Sequence, residues 1–351
     1  MGKQSPANVT INDVASHAGV GKGTVSRVLN GGGNVSAATR SRVEAAIADL
    51  GYAPSYAAQS LARGRLATVV VVVPFVTHPS AVTRVQGIIE GLRPSGTPVS
   101  ILDVETPEHA RGQFLMLLGS LRPEGVIVVS LTPDGDVRRR LLEADFPVVW
   151  IDAKVQGHVS LFIDNAEGGR LAADHLLSLG HEAIAFIGDD EAHSGFGFTS
   201  AAERLRGVTS ALAERGLELR NCLTGPHSKD VARELAVQLL TGRDRPTGIV
   251  TTSDTQAVGV LAAARELGID VPGELSVVGF DDVEIAESAG LTTIRQPIAE
   301  SGRRAAQLIT SLAGGDKPSR RHVALPLQLV VRRSTGAAPT APVQQPATTT
   351  G

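Results

Sequence analysis

Cysteine is nearly absent from this chain of 351 residues: Cys222 is the only one. A single thiol excludes an intrachain disulfide and any cysteine cluster for a metal, and it fits a reducing compartment. Cys222 is expected to be a small packed residue. No apolar run approaches the length of a membrane span, and the first ten residues, MGKQSPANVT, carry no apolar signal region. The expectation is a cytoplasmic protein with no membrane partner. Catalytic signatures are missing too: there is no H-E-x-x-H, no G-x-S-x-G and no glycine fingerprint after a strand. No catalytic residue, metal site or cofactor is expected.

What is present is a globular chain, 42% hydrophobic, long enough for two or three domains. Its formal net charge of −3 conceals an asymmetry. Residues 1–65 hold seven Lys/Arg against three Asp/Glu, while the remainder holds 26 against 33. A basic head on an acidic body suits a protein whose head meets phosphate and whose body stays off it.

The head explains the charge. Ile11 to Asn30 reads as helix, turn, helix. Thr10 and Asp13 make a Thr-x-x-Asp start signal. Ile11, Val14 and Ala15 share one face at helical spacing, and Ala15 is small where a second helix crosses closely. Gly19 sits at the turn, where positive φ is often needed. Val20, Val25 and Val28 lock the second helix onto the first. Lys22, Thr24, Ser26 and Arg27 remain on the outward face, which such a motif puts into the major groove. The cluster Gly19-Val20-Gly21-Lys22-Gly23-Thr24 also brings a phosphate-binding loop to mind. That loop needs G-x-x-x-x-G-K-[ST] after a strand, and neither condition holds. Ser36 then caps a third helix that ends at Gly51.

The succession V-T-I-x-D-V-A, A-G-V, T-V-S-R-V-L-N, V-S-x-x-T-R, L-G-Y-x-P and A-x-S-L over residues 9–63 closely resembles the N-terminal region of LacI-type transcriptional regulators. Further on, Ile163-Asp164-Asn165, Ser253-Asp254, Val277-Val278-Gly279-Phe280-Asp281-Asp282 and Leu291 to Pro297 follow in the same family order. In the body itself, apolar strand runs alternate with amphipathic helical stretches from Thr68 onward. That alternation argues parallel sheets covered on both faces, and the length argues two α/β subdomains.

The fold class expected is an N-terminal all-α helix-turn-helix headpiece plus an α/β body. The resemblance implies that the body is two periplasmic-binding-protein-like subdomains with parallel sheets. The divisions expected are a DNA-binding domain over 9–53, a hinge helix and linker over 54–65, and an effector-binding and dimerisation domain over 66–334. Within the last, one subdomain takes about 66–164 and 294–324, the other about 165–293 and 325–334. The chain crosses between them near Asp164, Thr292 and Leu325. The tail, 335–351, is rich in Ala, Pro and Thr and reads as disordered. No leucine heptad follows the body, so a homodimer is expected rather than a coiled-coil tetramer.

Arg27 carries a planar fork that fits guanine O6 and N7, and Lys22 lies near the helix start. Thr24, Ser26 and Asn30 suit phosphate contacts, which carry no sequence information. Gly21 stands where the family usually has Ser, and Gly23 has no side chain to read a base. The resemblance implies a hinge helix over Ser55–Ala62, with Tyr56 on DNA and Leu61 wedged into the minor groove. In the body, the cleft outside the strand ends is the place for a small ligand. Phe75, Ser130, Asp164, Arg204, His227 and Asp254 match lining positions. Arg204 and Asp254 are expected to face one another and hold sugar hydroxyls. His227 falls where many relatives have an aromatic; Phe196 or Phe198 is the candidate substitute. Asp281-Asp282 reads as an ordinary loop after a strand.

The function these readings imply is a sequence-specific repressor of carbohydrate-use genes, acting at the nucleoid on a near-palindromic operator and released by a small sugar. A corepressor-dependent regulator sensing a purine is the alternative. A secreted sugar-binding protein would share the body but not the head, and an enzyme of the doubly wound class lacks its motifs. Replacing Arg27 by Ala is expected to cost about 1–3 kcal/mol of operator affinity and to relax preference at one base per half-site. A randomised-site selection with the variant checks this; undiminished discrimination there would remove Arg27 from the reading face.

Overall fold

In a computed structural model of the chain, the described residues are 9–29, 35–52, 66–190 and 195–340. The chain divides into a head ending at Ala67 and a body from Thr68 onward. The expected hinge helix lies outside the described residues.

The head is three helices: α1 (Ile11–His17), α2 (Lys22–Leu29) and α3 (Ala37–Leu50). Asp13 accepts from the Thr10 amide at 2.8 Å and the Thr10 hydroxyl at 2.7 Å, holding the first turn of α1. Gly19 turns the chain at φ 61°, a conformation that costs a residue with Cβ but not glycine. The carbonyl of Gly21 accepts from Thr24 and Val25, so Gly21 occupies the N-cap of α2, where glycine is tolerated. Ser36 accepts from the Thr39 amide, and Gly51 ends α3 in the left-handed region. Val14, Val25 and Val43 are fully buried and join the three helices in one apolar centre.

The body begins with β1 (Leu66–Pro74), α4 (Pro79–Leu92), β2 (Val99–Val104), α5 (Pro107–Met116), β3 (Pro123–Val129), α6 (Gly135–Leu142), β4 (Val148–Ile151) and β5 (Val159–Phe162). It then passes through α7 (Asn165–Ser178), β6 (Ile184–Asp189), α8 (Ser200–Ala213), β7 (Asn221–Gly225), α9 (Lys229–Leu240), β8 (Gly248–Thr251), α10 (Asp254–Glu266), β9 (Ser276–Asp281), α11 (Glu284–Ala289) and β10 (Thr292–Arg295). Last come α12 (Ile298–Ala313), β11 (His322–Ala324) and β12 (Gln328–Val330). Two six-stranded sheets result, in the orders β11-β5-β4-β3-β1-β2 and β12-β10-β9-β8-β6-β7. β1 with β2, β3 with β4, β4 with β5, β5 with β11, β6 with β7 and β8, β8 with β9, and β9 with β10 pair in parallel; β10 with β12 is antiparallel. Helices cover both faces, so runs such as Val69–Val73 and Val126–Val129 are buried on every residue.

The chain passes between the sheets after β5, after β10 and after β11. The first and third passages fall at Asp164 and Leu325. The second corrects the sequence reading, because Thr292 to Arg295 still pairs with β9 and the chain crosses at Gln296-Pro297. Residues 335–338 are a second correction: the tail does not begin there. Thr335 Oγ1 lies 2.9 Å from both His175 Nε2 and Thr292 Oγ1, and the Gly336 and Ala338 amides donate to Ser276 Oγ and the Leu179 carbonyl. Composition missed this because each contact uses backbone or a small hydroxyl, not apolar bulk. Residues 341–351 lie outside the described residues.

Helices α7 and α8 cross at two glycines. A Cβ on Gly169 would stand 1.9 Å from the Arg204 carbonyl oxygen, and one on Gly207 the same distance from that of Ala166. The close crossing sets where Arg204 enters the space between the sheets. Gly169→Ala should drive the helices apart and cost at least about 1–3 kcal/mol, as overpacking does. The check is the urea midpoint of the body transition in the full chain; an unchanged midpoint would mean the crossing relaxes freely.

Candidate functional site

The parallel strands of both sheets end at a common cleft of about 1040 Å³. Phe75, Ser130 and Asp152 follow β1, β3 and β4, and Asp281 closes β9. All four line the cleft and all have positive φ, at 50°, 56°, 62° and 113°. Such backbone costs about 1–3 kcal/mol per residue and persists only where surroundings impose it. Here it turns each side chain off its strand and into the cleft.

Arg204, from α8, occupies the middle. Its Nε donates to Asn165 Oδ1 at 2.9 Å, its Nη1 donates to the Thr252 carbonyl, and its guanidinium lies 3.6 Å from the Phe280 ring centroid. Burial lowers its pKa, while Asp281, Asp189 and Asp152 oppose that. Asp281 is pushed up by burial, held back by the charge on Arg204 and by the Gln296 amide that donates to it. On the facing wall Arg84 is 4% exposed, bound to Asp152 at 2.7 Å and donating to Ser301 Oγ at 3.1 Å.

His227 and Asp189 form a tight pair, Nδ1 to Oδ1 at 2.9 Å. Burial alone would discharge both. For His227 it is outweighed by the bond and charge of Asp189, which raise the imidazole pKa. For Asp189 the bond and charge of His227, then Arg204 and Thr252, carry it below the usual range despite burial. Gln256 Nε2 and Thr252 Oγ1 donate to the same carboxylate. Across the cleft His78 meets His227 with ring centroids 4.7 Å apart, and it stacks on Phe75 at 5.2 Å. Burial and the charge of His227 lower the His78 pKa. Phe196 packs edge-on against Phe75 and stacks on Phe198, which lines the cleft.

Of the residues singled out for this cleft, Phe75, Ser130, Asp164, Arg204 and His227 line it. Asp254 does not. It is fully buried under the second sheet's end, where its oxygens accept from Thr293 Oγ1 at 2.6 Å and the Val283 amide at 2.9 Å. Being the first residue of α10, it points back along the helix instead of out of the strand. The carboxylates whose charge acts on Arg204 are Asp281, Asp189 and Asp152, and the acidic pair Asp281-Asp282 is not an ordinary loop. Asp282 accepts from Arg295 and Arg332, and Asp281 faces the cleft. Asp189 had a signal in sequence, a carboxylate ending an apolar strand.

In the head, Lys22, Gly23 and Arg27 are exposed on α2, while Thr24 and Ser26 are half-buried. An Arg27 amino nitrogen lies 3.7 Å from where a Gly23 Cβ would be. The guanidinium therefore lies over the bare helix start. Asn30, Tyr56 and Leu61 lie outside the described residues.

Residues 10–55 match the model of the bacterial regulatory proteins of the lacI family, and residues 173–335 match that of a periplasmic binding protein-like domain. The HTH-type transcriptional repressor PurR of Photobacterium profundum is 32% identical over 332 residues, 93% of this chain and 98% of that protein. This chain belongs to the LacI family. The Lac repressor dimer bound to operator and the anti-inducer ONPF superposes with a TM-score of 0.82 at 30% identity, covering 94% of this chain and 99% of that one. The CelR–cellobiose complex gives 0.67 at 30%, covering 93% and 99%. As a LacI-family regulator the chain binds DNA through its head and responds to a small ligand.

Asp254 gives the body a distinctive pH response. Burial, then Asp281, push its carboxyl up to about 8. The folded state thus holds a proton that the unfolded chain releases near the ordinary carboxylate range. Between about pH 4 and 8 folding binds more protons, so this group's contribution is greatest at the acid end and is lost as pH rises toward 8. Asp254→Asn keeps the shape without the charge. Its urea midpoint should vary less between pH 5 and 8 than that of the parent chain, with the variant relatively favoured at pH 8. A parallel pH profile for the two would refute the shift.

Proposed function

We propose that this LacI-family chain is an operator-binding repressor of carbohydrate-use genes, acting as a cytoplasmic homodimer and released by a small sugar. The cleft carries the reading. A ring wall of Phe75, His78, His227 and Phe198 stands beside Asp189, Asp281, Arg204 and Asn165, whose donors and acceptors converge on one space. Polyhydroxyl ligands need both an apolar face to stack on and paired groups for each hydroxyl. The solved relative CelR is a cellobiose complex, and another at 26% identity holds ribose. The Lac repressor is a dimer on its operator, and two heads on a two-fold body select a near-palindromic site. Neither cofactor nor catalysis belongs to this reading.

Lys22 and Arg27 read bases, with Thr24 and Ser26 on phosphate. Asn30, Tyr56 and Leu61 keep the roles expected from sequence. Phe75, Ser130, Asp164, Arg204 and His227 hold the effector, with Asp189 and Asp281 taking the place assigned to Asp254. Because the walls come from two subdomains joined by three strands of chain, a ligand that binds the closed form more tightly shifts the balance between forms. The second reading keeps the same cleft: the stacked Phe75–His78–His227 rings also suit a flat nucleobase acting as corepressor.

Thermal unfolding of the full chain against cellobiose, other mono- and disaccharides, and hypoxanthine and guanine separates the two. A sugar at a hundred times its Kd should stabilise the body by about 2.7 kcal/mol and weaken retention of a DNA site selected with the same protein. Arg204→Ala should cost about 1–3 kcal/mol in effector affinity and leave DNA binding intact. Stabilisation by a nucleobase alone, with tighter DNA binding, would overturn the sugar reading.

A further inference from the structure

The strands β1, β3, β4, β5 and β11 run parallel, so all of them start at the end of the first sheet opposite the cleft. The chain arrives from the head at that end, into β1. One corner of it is strongly basic. Lys317, Arg320, Arg321 and His322 fall within six residues leading into β11, with no acid among them, and all four are exposed. Arg321 Nη1 donates to the Gly157 carbonyl at 2.6 Å, which fixes this run beside the start of β5. Exposed Arg138 of α6 is hydrogen-bonded to His158 through its backbone. Burial first, and then the charges of Arg321 and Arg138, lower the His158 pKa to about 4, so both guanidiniums act on that one ring. Of the acids next to the corner, Asp136 pairs with Arg139 at 2.6 Å, and Asp316 accepts from the neutral Ser311 hydroxyl at 2.7 Å. Arg138, Lys317 and Arg320 have no carboxylate partner among the described residues.

Beyond residue 65 the chain holds 26 basic against 33 acidic residues. A same-sign cluster on this corner runs against that bias, and like charges gathered without partners repel unless something anionic covers them. β11 lies four strand spacings from β1, about 19 Å. We propose that this corner of the body holds the phosphate backbone of duplex DNA flanking the operator, extending the contact beyond the head. The proposal rests on DNA binding by the family but assigns a second, sequence-independent surface.

The test uses the full chain and a site selected with it from randomised duplex. The site is prepared as a 20-bp core and again with 20 bp of mixed sequence on each side. The parent chain should bind the flanked duplex about tenfold more tightly at low salt. The triple variant R138Q/K317Q/R320Q should match the parent on the core and lose that gain. Its slope of log K against log salt on the flanked duplex should be less steep by about 1 for each side chain removed. The charge-keeping variant R138K/K317R/R320K should retain the gain. A parent indifferent to flanks overturns the proposal and leaves the corner to an acidic protein. Equal weakening of the triple variant on core and flanked DNA overturns it too, since the effect then lies in the fold or the head. Failure of the head's DNA reading is separate: it appears as Arg27→Ala binding the core like the parent.

Discussion

A guanidinium taken out of water must be surrounded by acceptors, and the cleft is organised around meeting that need for Arg204. Its planar fork takes Asn165 on one edge and the Thr252 carbonyl on another, while its face lies on Phe280. A lysine could supply the charge but neither the fork nor the face. Asp189 and Asp281 stand near enough to stabilise the charge, and they must in turn be held apart from each other. Asp189 is kept ionised by His227, Thr252 and Gln256. Asp281 leans on Gln296 and on Arg204 itself. Removing the arginine would leave two carboxylates with a shared deficit, so the charge network and the proposed ligand site are one arrangement.

That arrangement depends on backbone before side chains. Arg204 reaches the cleft because α7 and α8 cross at Gly169 and Gly207, with carbonyl oxygens where Cβ atoms would be. Facing groups reach it because their strands end in left-handed turns. Parallel sheets put every strand end on one side, and three passages of chain put two such sides opposite each other. Ring contacts cross the gap, His78 tilted on His227 and Phe75 edge-on to Phe196. Such contacts are weak, about 0.5–1.5 kcal/mol, so a ligand entering between them displaces little.

The head was legible in sequence nearly residue by residue, because its structure is local. Thr10, Gly19, Ser36 and Gly51 each act on neighbours within a few positions, and the valines repeat at helical spacing. The body was legible as a class and less so in detail. Apolar strands such as Val148–Ile151 announce themselves, whereas β7, with exposed Asn221 and Cys222, carries no such pattern. β11 and β12 are three residues each and draw their stability from partners distant in sequence. Asp254 shows the limit most clearly. Sequence places a carboxylate at a strand end, but whether it points out of the strand or back under the helix depends on which residue first adopts helical backbone. Here Ser253 is the cap and Asp254 the first turn, so its carboxylate meets Thr293 and Val283 beneath the floor.

The same reasoning explains why one polar cluster answers ligands and another does not. Asp254 accepts from Thr293 and the Val283 amide beneath the second sheet's end, and burial raises its carboxyl pKa, so it lies off the cleft with both oxygens engaged. His227 and Asp189 bond through one nitrogen and one oxygen, and the His227 ring lies tilted beside that of His78. Among the described residues, Arg204 donates through Nε and one amino group. Incomplete satisfaction at half-exposed groups is affordable only where water or a ligand completes it. The cleft is where this fold concentrates such groups.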